Sequence, residues 1–437
     1  MQVFEKLSVT LCLAVLVGCG GGSPSTQDVA PVAATAPPAT QKLTINGAVT
    51  DDPIDSARVS FRVGERHFEA TIDSDVSGIF SVEIEYDSLD DIVYGEALRQ
   101  ASGIHFVGDV MTVRDLLARS RDGQVDDARI TNVTTAKFVL ASHSTDDGVI
   151  DSYDEFESAV DGVDAEQLLN VGAAIKAVVE AIDGTTLPSA TATTLELAEA
   201  IVDGSSSFIS DLNVTSPGTM DAAITKLLSD GYATVDFTAA AVPGVYMSTS
   251  SPVAYALFAD GSGLINYFDD RDIERIRNWS INEDGDLVLS YAATATKIDV
   301  LQQLSASRDA LQMNQRRETS AEESVTYDVA NFRRFRFDGR FDAAAITGTY
   351  TNSDGSGPDF ELGTDGQGFF LDASGTPAGD FSWQLAGDGR LVLDVGADLR
   401  RTLSILGATN GELRVLSIDT RTSGAVQGML VQSYSRG

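Results

Sequence analysis

An internal repeat in the C-terminal half places the tightest constraint on how this 437-residue chain folds. The stretch around Tyr246 recurs around Tyr350, and both copies continue with an Asp-Gly turn, a tryptophan and a second Asp-Gly turn. The offset between the copies stays at 104 or 105 residues, and the two tryptophans of the chain, Trp279 and Trp383, occupy equivalent places. The repeat therefore predicts two modules that share one fold.

The sequence of each copy is typical of antiparallel strands. Asp-Gly turns favour hairpins, and the last segment alternates with period two, with Met429, Val431 and Ser433 set against Leu430, Gln432 and Tyr434. We expect residues 239–341 and 342–437 each to close a small antiparallel barrel or sandwich, with one larger shared sheet as the alternative. The order of motifs resembles lipocalin-like modules of bacterial lipoproteins, and the resemblance implies a short barrel closed by a meander.

The N-terminus is typical of an export signal. Residues 7–17 form an apolar run that only Ser8 and Thr10 interrupt. A membrane-spanning helix needs about 20 apolar residues, so this run is too short to span a bilayer and instead fits the hydrophobic region of a secretory signal.

The segment LVGC at 16–19 resembles the lipobox of bacterial lipoproteins. The resemblance implies that residues 1–18 are removed as a signal peptide and that Cys19 carries several acyl chains, palmitate among them, which together anchor a protein stably. Since Gly20 rather than Asp follows the cysteine, the resemblance implies sorting to the bacterial outer membrane, with the folded part periplasmic or surface-exposed. An ordinary cleaved signal that contains a cysteine is the alternative.

Two further segments precede the helical part of the chain. Residues 19–41 are rich in Gly, Ser, Pro, Ala and Thr and carry one charge, at Asp28, which predicts a disordered, lipid-anchored linker. Residues 42–104 contain the alternating stretch ARVSFRV, typical of a half-buried strand. Their pattern, NGAVTDDPIDSARVSF followed by TIDSDVSGIFSV, resembles the carboxypeptidase regulatory-like, or transthyretin-like, module. The resemblance implies a non-catalytic β-sandwich that serves as a spacer or binding unit.

Residues 105–238 change to a helical period. Asp164, followed three residues later by Gln167, is a capping-box-like helix start, and the apolar residues after it recur along one helical face. A second helix is predicted at 194–202. The expected architecture is multidomain α+β, with an N-terminal β-sandwich, a central helical domain and two tandem antiparallel barrel or sandwich repeats.

The charge balance narrows the possible partners. The chain has 65 Asp and Glu against 30 Lys and Arg, a formal net charge of −35. Such a chain repels phosphate backbones, which excludes a nucleic-acid-binding role. Three histidines and two cysteines leave little material for a zinc, haem or iron–sulfur centre.

An acidic run at 146–166 contains nine acids and neither Lys nor Arg. Its sequence DGVID resembles the middle of an EF-hand calcium loop, where Gly makes the sharp turn. The resemblance implies a weak Ca²⁺ site at Asp147, Asp151 and Asp154. Because His143 stands where such a loop has its first ligand, a solvated acidic loop is the alternative.

Signatures of catalysis are missing from the sequence. It contains neither the G-x-S-x-G elbow of a nucleophile nor the G-x-x-x-x-G-K-[ST] phosphate loop. We therefore predict no catalytic and no cofactor-binding residues. The favoured hypothesis is a non-catalytic, lipid-anchored envelope protein that binds a small ligand, a glycan or an envelope protein through its β modules. The alternative is a hydrolase that acts on envelope or extracellular glycans with carboxylates of the helical domain.

Overall fold

The computed structural model describes residues 41–436 apart from gaps at 51–53, 71–73, 232, 251, 268–271, 292–296, 308–309, 320–321, 338 and 410. For residues 272, 317–319, 322–327 and 409 it describes the backbone alone. Cys19, the predicted signal peptide and all but the last residue of the predicted linker lie outside the described residues. The lipid anchor therefore stays a prediction.

Within the described residues the chain forms 24 strands and seven α-helices. The N-terminal strands are β1 (Gln41–Thr50), β2 (Arg58–Val63), β3 (Arg66–Glu69), β4 (Ile79–Tyr86), β5 (Ile92–Arg99), β6 (Ile104–Val107), β7 (Met111–Thr112) and β8 (Gln124–Thr131). The helices are α1 (Val113–Arg119), α2 (Asn132–His143), α3 (Tyr153–Asp161), α4 (Ala165–Val179), α5 (Thr194–Val202), α6 (Phe208–Thr215) and α7 (Thr219–Leu228).

Sixteen of these strands belong to the repeats. The first repeat contains β9 (Gly244–Ser248), β10 (Val253–Leu257), β11 (Gly263–Tyr267), β12 (Asp272–Ile281), β13 (Leu287–Tyr291), β14 (Lys297–Ala306), β15 (Ala310–Thr319) and β16 (Glu322–Phe335). The second contains β17 (Gly348–Asn352), β18 (Asp359–Leu362), β19 (Gln367–Leu371), β20 (Pro377–Leu385), β21 (Leu391–Val395), β22 (Leu399–Thr409), β23 (Glu412–Arg421) and β24 (Val426–Arg436).

Helix starts follow the capping residues in the sequence. The Asp164 carboxylate accepts a hydrogen bond of 2.9 Å from the Gln167 backbone N–H at the start of α4. The helix α5 occupies the predicted 194–202, and Thr193 caps it in the same way. Among the described helices, none combines the length and the apolar character that crossing a membrane requires.

The N-terminal strands form two sheets that share a hydrophobic core with the helices. In one sheet β1 pairs antiparallel with β4 and parallel with β8. In the other the order is β3-β2-β5-β6, with β7 beside β5. Phe61 and Phe80, one from each sheet, have ring centroids 5.7 Å apart, and both lie in the same core cluster as Leu168 of α4.

One of these strands, β8, lies in the segment that was expected to be helical. Its sequence, QVDDARIT, hides the alternation because two adjacent acids, Asp126 and Asp127, sit at a bulge opposite β1. In addition, β6 runs across the expected boundary at 104/105. A mixed α+β chain is confirmed, whereas the separate sandwich, the separate helical domain and their boundary stay predictions.

Each repeat closes its own eight-stranded antiparallel barrel. The strands β9 to β16 follow one another as a meander, and β16 pairs back with β9. The strands β17 to β24 close in the same way. Because a closed barrel has no unpaired edge, each repeat is a complete sheet. The prediction of two tandem barrels is confirmed, and the alternative of one shared sheet is wrong.

The first barrel lies between the helices and the second barrel. Ala256 on its outer face packs in one cluster with Leu416 and Met429 of the second barrel. On another side, the Gln312 side-chain amide donates a hydrogen bond of 3.2 Å to the carbonyl of Val163 beside α4. Several outer strands of the first barrel are therefore covered by other parts of the chain.

Candidate functional site

The two barrels match each other in individual hydrogen bonds. The Tyr246 hydroxyl donates to the carbonyl of Val242 at 2.6 Å, and the Tyr350 hydroxyl donates to the carbonyl of Ile346 at 2.7 Å. Each tyrosine thus fastens its first strand to the segment that enters the barrel. These atom-level matches support duplication of one module.

The two tryptophans also occupy matching positions. The Trp279 indole donates to the carbonyl of Phe258 at 2.8 Å, and the Trp383 indole donates to the carbonyl of Gly363 at 3.2 Å. Each ring packs against the core of its own barrel. The tryptophans therefore close hairpins and fill the interior, and they are not exposed platforms for a ligand.

Aromatic side chains fill the middle of both interiors. Tyr246, Tyr255 and Phe332 in the first barrel, and Phe360 and Tyr434 in the second, are almost completely buried. Burial raises the pKa of Tyr246 and of Tyr434 to about 12, so both phenols are neutral at physiological pH. Any binding site inside a barrel must therefore lie near its mouth.

The mouth of the first barrel is filled by a group that we call the polar plug. It lies where β11 ends and β14 begins, and its members are Tyr267, Glu274, Tyr291, Lys297, Asp299 and Gln315. The Lys297 ammonium lies 2.9 Å from a Glu274 carboxylate oxygen and 3.2 Å from the Tyr267 hydroxyl. It also lies 4.1 Å from the centroid of the Tyr291 ring, within cation–π range.

A second half of the plug is built around a buried carboxylate. Asp299 is 0% exposed and accepts hydrogen bonds from the Tyr291 hydroxyl and, at 2.9 Å, from the Gln315 side-chain amide. Burial, together with the Asp299 charge, raises the pKa of Tyr291 far above its ordinary value. Burial lowers the pKa of Lys297, but the hydrogen bonds to Glu274 and Tyr267 outweigh it and the pKa is raised. The plug therefore fixes each of its charged groups, Lys297 and Glu274 by pairing with each other and Asp299 by hydrogen bonds from neutral side chains.

Strand register assigns an equivalent in the second barrel to five of the six plug positions and to Asp328, which pairs with Gln315. In the first barrel Ile265 pairs with Glu274, and at the equivalent place in the second barrel Phe370 pairs with Gly379. In the same way, Leu301 pairs with Gln315 in the first barrel and Leu403 pairs with Ser417 in the second. The equivalences, first barrel before second, are Glu274 and Gly379, Tyr291 and Val395, Lys297 and Leu399, Asp299 and Arg401, Gln315 and Ser417, and Asp328 and Leu430. Most of the replacements are smaller or apolar.

The second barrel therefore has what we call the open mouth, lined by Phe370, Gly379, Val395, Arg401, Asp419, Gly428 and Leu430. Leu430 lies on the same strand face as the buried Tyr434, yet it is 43% exposed. A Cβ atom added at Gly379 would meet only Phe370, at 3.9 Å, and one added at Gly428 would meet nothing closer than 3.8 Å. At Gly379 there is space where the first barrel has the Glu274 side chain.

The open mouth contains one ion pair, formed by Arg401 and Asp419. Arg401 donates to both carboxylate oxygens of Asp419, at 2.7 and 2.8 Å, and its guanidinium lies 5.7 Å from the Phe370 ring centroid. The hydrogen bond to Asp419 raises the pKa of Arg401. In the first barrel the same register position places Asp299 opposite Arg317. The lining of the open mouth is thus apolar around one neutralised pair.

The three residues predicted to bind Ca²⁺ lie on or beside α3. Asp147, Asp151 and Asp154 are all exposed. The Asp147 carboxylate accepts a hydrogen bond of 3.0 Å from the Val149 N–H, within its own turn. Among the described residues, no group of three or more His, Cys, Asp or Glu side chains is arranged to hold a metal ion. The structure does not bring the three together, and the Ca²⁺ site stays an untested prediction.

A charged groove lies between the β1–β8 pair and the C-terminal ends of α4 and α7. Its volume is about 930 Å³. The Lys176 ammonium, with a side chain only 3% exposed, lies 2.8 Å from Glu180 and 3.2 Å from Asp230. Burial raises the pKa of Glu180, but hydrogen bonds from Lys176 and Lys226 outweigh it and the pKa is lowered. The network explains how the two helix ends meet without leaving a buried charge unpaired.

Comparison with known proteins does not assign this chain to a family. No family model matches the chain, and no curated protein matches it significantly in sequence.

Sequence reasoning did not single out either barrel mouth. The signal was present in the repeat, because polar positions of the first copy, such as Glu274 and Gln315, correspond to Gly379 and Ser417 in the second. Each barrel has a β-bulge beside the strand that carries its tryptophan, and these bulges change the sequence offset between the two copies. The positions can therefore be aligned only from the residue pairing between neighbouring strands.

Proposed function

We propose that this chain is a lipid-anchored, non-catalytic protein of a bacterial outer membrane that binds a ligand through its second barrel. The observation that supports it is the difference between the two mouths. One scaffold occurs twice, and the plug of Lys297 and Glu274 in the first copy is replaced by Leu399 and Gly379 in the second. A concave, largely preformed opening with few polar groups is the usual form of a small-ligand site.

The remaining parts serve this function as anchor and spacer. In this proposal the acyl chains on Cys19 hold the chain to the membrane, and the linker at 19–41 gives it reach. The strands at 42–104 act as the non-catalytic spacer that their resemblance to the carboxypeptidase regulatory-like module implies. The first barrel, filled in its interior and covered on several of its outer strands, acts as a rigid support for the second.

Native mass spectrometry tests ligand binding without knowledge of the ligand. The full chain is extracted from its own membrane in a mild detergent and its intact mass is measured. We expect a population heavier than the chain with its acyl groups, and we expect Leu430→Asp to abolish it, because a carboxylate then occupies the open mouth. Thr351→Asp, at an exposed position of β17, should retain the heavier population. A native chain that carries no additional mass contradicts the proposal.

Metabolic labelling tests the anchor separately. Cells that express the full chain are fed an alkyne analogue of palmitate, and the chain is examined for the label. We expect the native chain and Cys12→Ala to be labelled and Cys19→Ala to be unlabelled, since Cys12 lies in the predicted signal peptide. Equal labelling of Cys19→Ala would show that this cysteine is not the lipidated residue.

A further inference from the structure

We propose that the charged groove between the β1–β8 pair and the ends of α4 and α7 is a second binding site and that it takes a saccharide. This inference goes beyond the proposed function, because none of the residues that line the groove belongs to either barrel. The groove volume of about 930 Å³ falls within the range of about 300–1,000 Å³ that small-ligand sites occupy. A buried hydroxyl without a partner, a low floor and a wall that offers donors and acceptors together support the proposal.

The hydroxyl of Thr50 is the observation that points to a ligand. Thr50 is the last residue of β1, lines the groove and is 4% exposed, and its Oγ1 has no hydrogen-bond partner among the described residues. Proteins rarely bury a hydroxyl without a partner, because its hydration is lost and no hydrogen bond replaces it. Strand alternation places Thr50 on the same face of β1 as Asn46 and Ala48, which also line the groove. A polar group of a ligand in the groove supplies the missing partner.

The outward face of the sheet forms a low floor for the groove. Strand register places Ala48 between Ile79 of β4 and Arg129 of β8. Because neighbouring strands are about 4.8 Å apart, the three strands give a floor about 10 Å wide. Ala48 ends at its Cβ atom, and the side chain of Ile79 is half exposed beside it. A flat ring can therefore lie on Ala48 with carbon-bound hydrogens against Ile79, and a pyranose ring has such a face.

The helix ends opposite the floor offer donors and acceptors together. The Lys226 ammonium is half exposed and donates to Glu180, whose other carboxylate oxygen lies 2.8 Å from the buried ammonium of Lys176. An ammonium only donates hydrogen bonds and a carboxylate only accepts them, whereas a sugar hydroxyl does both. Neighbouring hydroxyls of one ring can therefore bond Lys226 and Glu180 without separating the two charges.

A carboxylate at the edge of the floor is held in place before a ligand binds. Asp126 accepts a hydrogen bond of 2.8 Å from the Asn46 side-chain amide, and Asn46 accepts one of 2.6 Å from the Ser81 hydroxyl. Asp126 is exposed, and no ion pair joins it to a cation within the part of the chain that the structure describes. Its remaining lone pairs can accept hydrogen bonds from ligand hydroxyls, and its fixed position lowers the entropy that binding costs.

The charges that line the groove favour hydroxyl groups over a zwitterion. Each of the three lining cations is already paired, Lys176 and Lys226 with Glu180 and Arg129 with Asp236. An amino acid in the groove would have to separate a cation such as Lys226 from its carboxylate, which leaves charges without their partners. Hydroxyl groups add hydrogen bonds to these pairs and leave them intact.

Saturation-transfer NMR tests the proposal with a defined mixture of probes. The mixture contains D-glucose, D-galactose, D-mannose, N-acetyl-D-glucosamine, maltose and cellobiose, with L-alanine as a zwitterion of the kind that the groove should not take. The full chain carrying Cys19→Ala is used so that no detergent is needed. We expect saturable transfer to at least one saccharide and none to L-alanine, and the dissociation constant of that saccharide is then measured by titration.

Matched variants locate the site. Thr50→Val keeps the shape of the side chain and removes the hydroxyl, so it should weaken saccharide binding about tenfold. The same variant should leave the melting temperature unchanged or raise it, because a buried hydroxyl without a partner is lost, and a merely structural residue would not behave in this way. Ala48→Leu adds bulk to the floor and should abolish binding. Thr44→Leu adds the same side chain to the same face of β1 outside the groove and should leave affinity unchanged.

Each contrary result has a definite meaning. If none of the six saccharides receives saturation, or if L-alanine receives saturation that Thr50→Val removes, the ligand class is wrong. If a saccharide binds folded Thr50→Val and Ala48→Leu as tightly as it binds the parent chain, the groove is not the site. Leu430→Asp, in the second barrel, should leave saccharide binding unchanged, and a loss of binding there would place the saccharide in the barrel and overturn this site.

Discussion

At the scale of single residues, the sharpest contrast is between Lys297, whose charge is enclosed in the polar plug, and lysines whose charge is in water. The Lys297 side chain is 18% exposed and its partner Glu274 is 21% exposed. Lys42 and Glu83 form a pair at 2.5 Å, but both side chains are more than half exposed. Solvent screens the second pair far more than the first, so geometry alone is a poor guide to their energies.

We predict that Lys297→Met lowers the free energy of unfolding by about 2 kcal/mol, because it leaves Glu274 partly buried without its cation. Urea unfolding, followed by tryptophan fluorescence to which Trp279 of the same barrel and Trp383 of the second barrel contribute, measures the effect. Lys42→Met is the control and should leave the unfolding midpoint unchanged. An equal, small effect of both substitutions would mean that the plug is as open to solvent as the surface.

At the scale of elements, each barrel depends on the tyrosine that fastens its first strand. Tyr350 is 3% exposed and Tyr246 is 1% exposed, and each hydroxyl bonds a carbonyl four residues earlier. We predict that Tyr350→Phe and Tyr246→Phe each cost about 1–2 kcal/mol, since a buried carbonyl loses its donor while the ring stays in place. Chemical denaturation of both variants measures these costs. Costs that differ several-fold would show that the two barrels do not use the tyrosine in the same way.

At this scale some secondary-structure elements could be predicted from the sequence and others could not. The barrels were predictable because Asp-Gly turns, such as those at Gly261 and Gly366, fix hairpins locally and recur at a constant offset. The helix α5 was predictable because its cap and its apolar face are local as well. The strand β8 was not, since its pairing with β1 spans about 80 residues and its bulge breaks the alternation.

The candidate site could not be predicted from the sequence for a related reason. Whether Gly379 leaves space or merely forms a turn depends on which residue lies beside it on the adjacent strand, and that is a property of register. Asp147, Asp151 and Asp154 illustrate the opposite case, in which neighbours in sequence that suggested a shared ion lie exposed along a loop and a helix start. Local spacing predicts elements well and sites poorly when the site is assembled across strands.

At the scale of the whole molecule, the two barrels are joined through outer strand faces that would otherwise be in water. Leu416 is 0% exposed in the cluster that the barrels share, and Asn266 of the first barrel donates a hydrogen bond of 2.9 Å to the carbonyl of Met429 in the second. The second barrel, closed on itself, does not need this contact to complete its sheet. The interface therefore couples two sheets that are each closed on themselves.

We predict that Leu416→Asp uncouples them, because it buries an unpaired carboxylate between the barrels. Differential scanning calorimetry should then resolve a separate transition for the second barrel at a lower temperature, displaced by a loss of about 3 kcal/mol or more. The exposed substitution Thr351→Asp adds the same charge to the same barrel and should leave the calorimetric profile of the native chain unchanged. If Leu416→Asp instead shifts a single, undivided transition, the two barrels unfold as one unit even without their apolar contact. The first barrel would then stabilise the second through contacts other than this apolar interface.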